Sequence, residues 1–237
     1  MEIQIAVSKN DKYLSTDSGD TVEVVERPNG GVSVVQASGF LNNLRSKTIS
    51  FSVVKRVITH IADGVRDGAA ARAASDALFT QFEGNATASL GIFSVDLQTD
   101  TIVLTCNSQS PVFIARTISI EKMATECCLL GTSMDIRPSI SEIPLESGIT
   151  IIGPTSGLLL AGSDFGQILD FEISLSTILE DQEPTAQNIA DSLISQAIRL
   201  DQNRPVKDMS VVVMRITDTT GNRLRKLTVN IPISDHT

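Results

Sequence analysis

Tryptophan is absent from this 237-residue chain, and there is a single tyrosine, Tyr13. Stacking on single-stranded nucleic acid needs aromatic faces, so the chain has little material for it. The net charge is −9, which argues against wholesale binding to phosphate backbones and leaves room only for a local basic patch. No nucleic-acid partner is expected. No apolar run approaches the roughly 20 residues of a membrane span. Met1 to Asn10 also lacks the basic-then-apolar pattern of a secretory signal. The expectation is a soluble, cytoplasmic protein with no membrane partner. Cysteine is scarce too: Cys106, Cys127 and Cys128 make no disulfide framework. The adjacent pair Cys127–Cys128 has the chemistry to ligate a metal or sense oxidation. No Cys/His set surrounds it, so plain thiols are expected. Only two histidines occur. His60 falls in a helical stretch with apolar neighbours, and His236 is in the tail. Neither has the context of a nucleophilic triad. No Gly-rich phosphate loop of Walker type is present. Asp63 and Asp67, with Gly64 and Gly68, lack the ligand series of a calcium loop and read as a turn between helices.

What is present is core. Hydrophobic residues make up 41% of the chain, enough for a sizeable interior. Ile3 to Val7, Thr21 to Glu26 and Val32 to Gln36 read as strands. Pro28-Asn29-Gly30-Gly31 joins the last two as a hairpin turn, and Ala37-Ser38-Gly39 follows as a loop. Ser46 to His60 carries Phe51, Val54, Ile58 and Ile61 at helical spacing. An Ala-rich helix spans about Ala69 to Phe82. Strands are predicted at Thr87 to Leu97, Thr101 to Asn107, Val112 to Ala115, Ile120 to Glu126, Ile140 to Pro144 and Ile149 to Ile152. Short helical pieces at Leu158 to Ala161 and Phe165 to Phe171 precede a strong amphipathic helix after Pro184. Met209 to Ile216 is a continuous apolar, β-branched run and reads as a buried central strand. Leu224 to Ile233 alternates as a last strand, with Arg223, Arg225 and Lys226 as solvated edge charges. Without repeats, low-complexity tracts or a long linker, residues 1–237 are expected to form one domain of α+β class with antiparallel sheets.

Five separated segments carry a resemblance. Ser18-Gly19-Asp20 comes first, then Val35-Gln36-Ala37-Ser38-Gly39. Ala86-Thr87-Ala88-Ser89-Leu90 through Pro111-Val112-Phe113-Ile114 is third. Ile151-Ile152-Gly153-Pro154-Thr155-Ser156-Gly157 is fourth, and Lys207-Asp208-Met209-Ser210 closes the series. In this order they resemble the motifs of the PPM-type metal-dependent protein serine/threonine phosphatases, the protein phosphatase 2C-like family, in its SpoIIE-like branch. The resemblance implies a four-layer α-β-β-α sandwich. It also implies a pair of Mg²⁺ or Mn²⁺ ions that activate water against phosphoserine or phosphothreonine, with partners of the anti-sigma-antagonist type in bacterial signalling.

The implied chemistry meets an obstacle. Two hard cations need several oxygen ligands, mostly carboxylates. Of four aspartate positions in the family pattern, only Asp20 keeps its acid. Ser38, Ser156 and Lys207 occupy the other three, and Gly39 offers only a carbonyl. Asp208 sits one residue along, and neighbouring strand residues face opposite ways. The vestigial cluster is therefore Asp20, Ser38, Gly39, Ser156, Gly157, Lys207 and Asp208, with no catalytic residue assigned and only Asp20 left to meet any metal. No metal cofactor is expected. Two functions compete, beside a blander third possibility, a structural or dimerisation domain on the same scaffold. One is a pseudophosphatase that binds a phosphoprotein or a regulatory partner. The other is an active phosphatase with a rebuilt metal site. A buried carboxylate needs a partner, and the expectation is that the Lys207 ammonium takes the place of metal beside Asp20.

Overall fold

The computed structural model describes residues 1–13, 18–117, 119–124, 127–181, 184–218 and 225–230. Two antiparallel sheets form its centre. The first has the strand order β1–β11–β10–β7–β8 and contains β1 (Glu2–Asn10), β7 (Val112–Arg116), β8 (Ser119–Met123), β10 (Thr150–Pro154) and β11 (Met209–Thr217). The second has the order β2–β3–β5–β6–β9: β2 (Asp20–Glu26), β3 (Gly31–Leu41), β5 (Ala86–Asp96), β6 (Thr101–Asn107) and β9 (Ser139–Pro144). A two-residue strand, β4 (Leu44–Arg45), folds back on β3. The predicted hairpin of β5 and β6 is antiparallel, and β11 is buried at the middle of its sheet between β1 and β10.

Three apolar interfaces account for four layers. Phe93, Leu104, Ile114, Ile151, Val212 and Met214 pack between the sheets. The outer face of the second sheet is covered by α1 (Lys47–Ala62) and α2 (Asp67–Phe82), whose Val53, Val57, Ala70 and Ala74 meet Val35, Ala88 and Ile92. The small alanines let α2 lie close. The first sheet is covered by α3 (Ser156–Leu159), α4 (Phe171–Leu179) and α5 (Ala186–Leu200). There Leu175, Ile189 and Leu193 meet Ile152, Val211 and Val213, and the Phe113 and Phe171 rings stack at 4.6 Å. Side chains of successive strand residues alternate between faces. That is why Val211 and Val213 serve one interface and Val212 and Met214 the other.

Several expectations change. Ala37-Ser38-Gly39 is not a loop, because β3 continues through it to Leu41. Gly153-Pro154 stays in β10, and Ser156-Gly157 opens α3 rather than breaking the chain. Helix α4 begins where a helical piece was expected to end. Asp67 and Gly68 lie in the first turn of α2, with the Asp67 carboxylate 2.6 Å from Arg27. Phe51 is exposed, and Ile49 supplies the buried position instead. Residues 225–230 are exposed and form no strand. The rest of the expected last strand, Arg223 and His236 lie outside the described residues.

Candidate functional site

Asp20 is fully buried at the first position of β2, directly opposite Ser38 on β3. The Ser38 hydroxyl donates to Asp20 Oδ1 at 2.6 Å, and the Ser210 hydroxyl on β11 donates to Oδ2 at 3.0 Å. Ser210 also accepts from Gln36 Nε2 at 3.2 Å. The carboxylate therefore ties one sheet to the other at the end where β2, β3 and β11 meet.

The cation beside this carboxylate is Arg45. Its Nη1 lies 2.8 Å from Asp20 Oδ1. A tight turn at Asn42 and Asn43, both with positive φ, sends β4 back along β3 and sets Arg45 opposite Phe40. The guanidinium stacks over the Phe40 ring at 4.8 Å. Its stem runs against Gly19, where a Cβ would meet Arg45 Cδ at 2.9 Å. Glycine at 19 is thus what lets the arginine reach Asp20. Lys207 does not make the expected pair with Asp20. It sits half-buried just before β11, beside Gly157, and forms no ion pair with a described residue. The residue that turns inward is its neighbour. Asp208 is buried and accepts backbone N–H groups from Lys12 at 2.9 Å and Gly19 at 2.8 Å. At the entry to β11 the acid is turned to the inner side, and Lys207 is left half-buried.

Two further cations converge on the same aspartate. Lys9 Nζ, on β1, and Lys47 Nζ, at the start of α1, each donate to the Asp20 carbonyl oxygen at 2.8 Å. Lys9 lies opposite Ser210 in the β1–β11 register. Lys9 is exposed as a residue, but crowding around its ammonium lowers its pKa, first through desolvation and then through Lys47. Asp20 is pushed the other way for a carboxylate. Burial raises its pKa, against the opposing pull of Arg45, Ser38 and Ser210.

The remaining members of the expected cluster are nearby but differently engaged. The Gly39 carbonyl accepts the Ser46 N–H at 2.9 Å, and a Cβ on Gly39 would strike the first turn of α1. Gly157 packs on the Asp208 carbonyl with no room for a side chain. Ser156 is exposed, and its hydroxyl is 3.5 Å from Arg45 Nη2 rather than on Asp20. The cysteines stand apart from this site. Burial raises the Cys106 thiol to about 12, the Cys127 thiol donates to the Cys106 carbonyl at 3.2 Å, and Cys128 is exposed.

The stage II sporulation protein E family model matches residues 31–217. The chain belongs to the SpoIIE family. Solved structures agree on the fold. The PP2C phosphatase domain of SpoIIE from Bacillus subtilis, with a fragment of its regulatory domain, matches with TM-score 0.76 at 20% identity. That match covers 91% of this chain and 64% of the other, so this SpoIIE-family chain spans less than two thirds of that structure. The SpoIIE phosphatase domain in a crystal form without domain swapping matches with TM-score 0.70 at 18% identity, over 98% of each chain. The catalytic domain of the serine/threonine phosphatase PstP, in complex with two manganese ions, matches with TM-score 0.71 at 17% identity, over 91% of this chain and 99% of the other. At these identities the likeness establishes the fold. No curated protein matches the chain by sequence.

The donor set of this SpoIIE-family site does not fit a pair of divalent metals. Both Asp20 oxygens already accept from hydroxyl or guanidinium donors, both Asp208 oxygens accept backbone N–H groups, and the Gly39 carbonyl is engaged. Three cationic side chains crowd Asp20. Hard cations need negative oxygens in excess, and here the excess charge is positive.

Proposed function

We propose that this SpoIIE-family phosphatase domain, spanning residues 1–237, is a pseudophosphatase. It acts in the cytoplasm as a binding module for a phosphoprotein or a regulatory partner of the anti-sigma-antagonist type in bacterial signalling. One observation carries the reading: the Asp20 carboxylate is saturated by Arg45, Ser38 and Ser210, with a guanidinium where catalysis in this fold would call for a metal ion. A metal entering there would have to displace an ion pair and face two ammonium groups. Water activation by paired cations then has no support from the chain's own residues, and recognition without hydrolysis is the function left to the domain.

The test is a phosphatase assay on p-nitrophenyl phosphate and on a phosphoserine peptide, with and without millimolar Mn²⁺, paired with metal analysis of the purified protein. The expected result is no Mn²⁺-dependent turnover and no stoichiometric metal. Because a ligand of the folded state raises stability by mass action, Mn²⁺ should also leave the melting temperature unchanged. Two bound ions per chain together with turnover would establish the other reading, an active phosphatase with a rebuilt metal site.

A further inference from the structure

Large apolar side chains gather on the surface in one stretch of the helical layer over the first sheet. Leu160, Phe165, Ile168 and Ile173 are all exposed, the last two at 64% and 65%. They fall between the end of α3 and the first turn of α4. An open groove of about 370 Å³ lies in the same stretch. Ile168, Leu169 and Leu200 supply its apolar lining, with Ser174 of α4 and Gln196 and Arg199 of α5 beside them. Phe165 sits on a closed turn against this groove. The Gly162 carbonyl accepts the N–H groups of Phe165 at 2.9 Å and Gln167 at 3.0 Å, and a Cβ at Gly162 would meet Leu200 Cβ at 3.0 Å. Asp170 holds the start of α4 by accepting the Ile173 N–H at 3.1 Å. The apolar surface is therefore presented by bonded backbone.

The charge of this stretch has one sign in excess. From Pro138 to Ile198 the sequence holds nine acids and no lysine or arginine, while the remainder of the chain is balanced. The whole net charge of −9 thus comes from this segment. Asp164, Asp170 and Glu172 are exposed among the apolar residues, and Glu180 and Asp181 follow, also exposed, at the end of α4. Arg199 lines the groove and Lys122 lies 3.5 Å from Glu172. These two cations leave the acids in excess, and the long stem of Arg199 adds apolar surface.

We propose that this groove docks a basic amphipathic helix of a partner protein, its apolar stripe on Phe165, Ile168, Ile173 and Leu200 and its lysines or arginines over Asp164, Asp170 and Glu172. The walls are helices and a turn rather than a strand, so side chains and not backbone hydrogen bonds carry the recognition, in the manner of an apolar stripe laid into a hydrophobic groove. The acids select the occupant. An anionic lipid surface would be repelled by them. A second copy of this chain in a two-fold contact would set the same acids against themselves. The groove shares no lining residue with the Asp20 cluster, and docking there does not depend on whether the domain hydrolyses phosphate.

The experiment titrates the full chain into a fluorescein-labelled peptide helix of about 18 residues, with leucines along one face and lysines on the others. The controls are the same helix with glutamate for lysine and a scrambled peptide of equal composition. Fluorescence anisotropy should give a dissociation constant of about 10 μM or tighter for the basic helix, about tenfold or more tighter than for either control, and the affinity should fall as salt is added. Ile168→Ser/Ile173→Ser and Asp164→Lys/Glu172→Lys should each weaken binding about tenfold or more with unchanged circular dichroism. Phe51→Ser/Leu97→Ser, which removes exposed apolar side chains elsewhere, should bind as the wild type does. No binding by the wild type would overturn the proposal. So would equal binding of a control peptide, undiminished binding by either groove variant, or an equal loss in Phe51→Ser/Leu97→Ser. Binding to phosphatidylserine vesicles but not to the helix would assign the surface to a membrane. A dimer seen by sedimentation and lost in Ile168→Ser/Ile173→Ser would assign it to a second copy. Either result would also overturn the proposal.

Discussion

Replacing Arg45 by methionine removes the guanidinium and keeps most of the stem that packs on Gly19 and Phe40. Asp20, which has no solvent exposure, then keeps only the Ser38 and Ser210 hydroxyls. Breaking one side of a buried ion pair costs about 3–5 kcal/mol. The Arg45 side chain is 26% exposed, so part of its charge is already hydrated and the lower end applies, about 3 kcal/mol. Asp20→Asn should cost less, about 1.5 kcal/mol, because it strands a cation that can reach water rather than a carboxylate that cannot. In the double variant neither charge is left alone, so the total should be about 2.5 kcal/mol rather than about 4.5, a coupling near 2 kcal/mol. Loss of the Phe40 contact does not distort this number, because Arg45→Met loses it in both halves of the cycle. The assay is urea denaturation of the four proteins at neutral pH, with matching transitions by fluorescence-independent probes such as circular dichroism, since the chain has no tryptophan. Costs that simply add within about 0.5 kcal/mol would refute the claim that Arg45 fills the role of the missing cation.

Other outcomes follow from the same geometry. Lys207→Ala should change stability by no more than about 0.5 kcal/mol in the same urea assay, because among the described residues its ammonium holds no buried partner. The pKa of Asp20 is raised in the folded state, so the native protein holds its proton more tightly than the unfolded chain. Its contribution to stability is therefore greatest below its ordinary pKa of about 4 and falls as pH rises through the folded value. The cost of Asp20→Asn should consequently be larger near pH 4 than near pH 7; a larger cost at pH 7 would contradict the sign. Restoring acids with Ser38→Asp, Ser156→Asp and Lys207→Asp should not recover Mn²⁺ binding while Arg45 remains, and adding Arg45→Ala should improve it. Calorimetric titration showing equal Mn²⁺ affinity with and without Arg45 would remove that reasoning.

The fold was legible because its signals are local and redundant. Met209 to Ile216 is apolar at every buried position except Ser210, the Gly30-Gly31 turn declares its hairpin, and Thr185 caps a helix with one apolar stripe. The ordered family motifs then supplied the layers. The site was legible only in its deficit. Against the family pattern the sequence resembles, Ser38, Ser156 and Lys207 read as missing acids, but the cation that pairs with Asp20 comes from a segment outside those motifs. The signal for it was Leu41-Asn42-Asn43-Leu44. Asn tolerates positive φ, so Asn-Asn between two leucines marks a two-residue hairpin, and such a hairpin returns Arg45 to the level of Phe40. Lys9 was harder still. Its approach depends on the pairing of β1 with β11, which places residues 9 and 210 together from opposite ends of the chain.

The substitutions make sense only as a set. Ser38 in place of an acid would leave a metal short of a ligand, yet against Asp20 it becomes a hydroxyl donor at 2.6 Å. Arg45 beside an intact acidic cluster would compete with metal, yet beside one carboxylate it balances the charge. Asp20 could then have been lost, but its two oxygens join β2, β3, β4 and β11 through Ser38, Arg45 and Ser210, while Gln36 extends the link across the sheets. An apolar residue at 20 would leave those donors without an acceptor in a dry interior, where each unmet polar group costs about 1–3 kcal/mol. On the proposed reading, Asp20 is thus kept as a tie between the sheets rather than as a metal ligand. It is the residue on which Lys9, Arg45 and Lys47 converge, and their positive charge opposes the entry of a divalent cation.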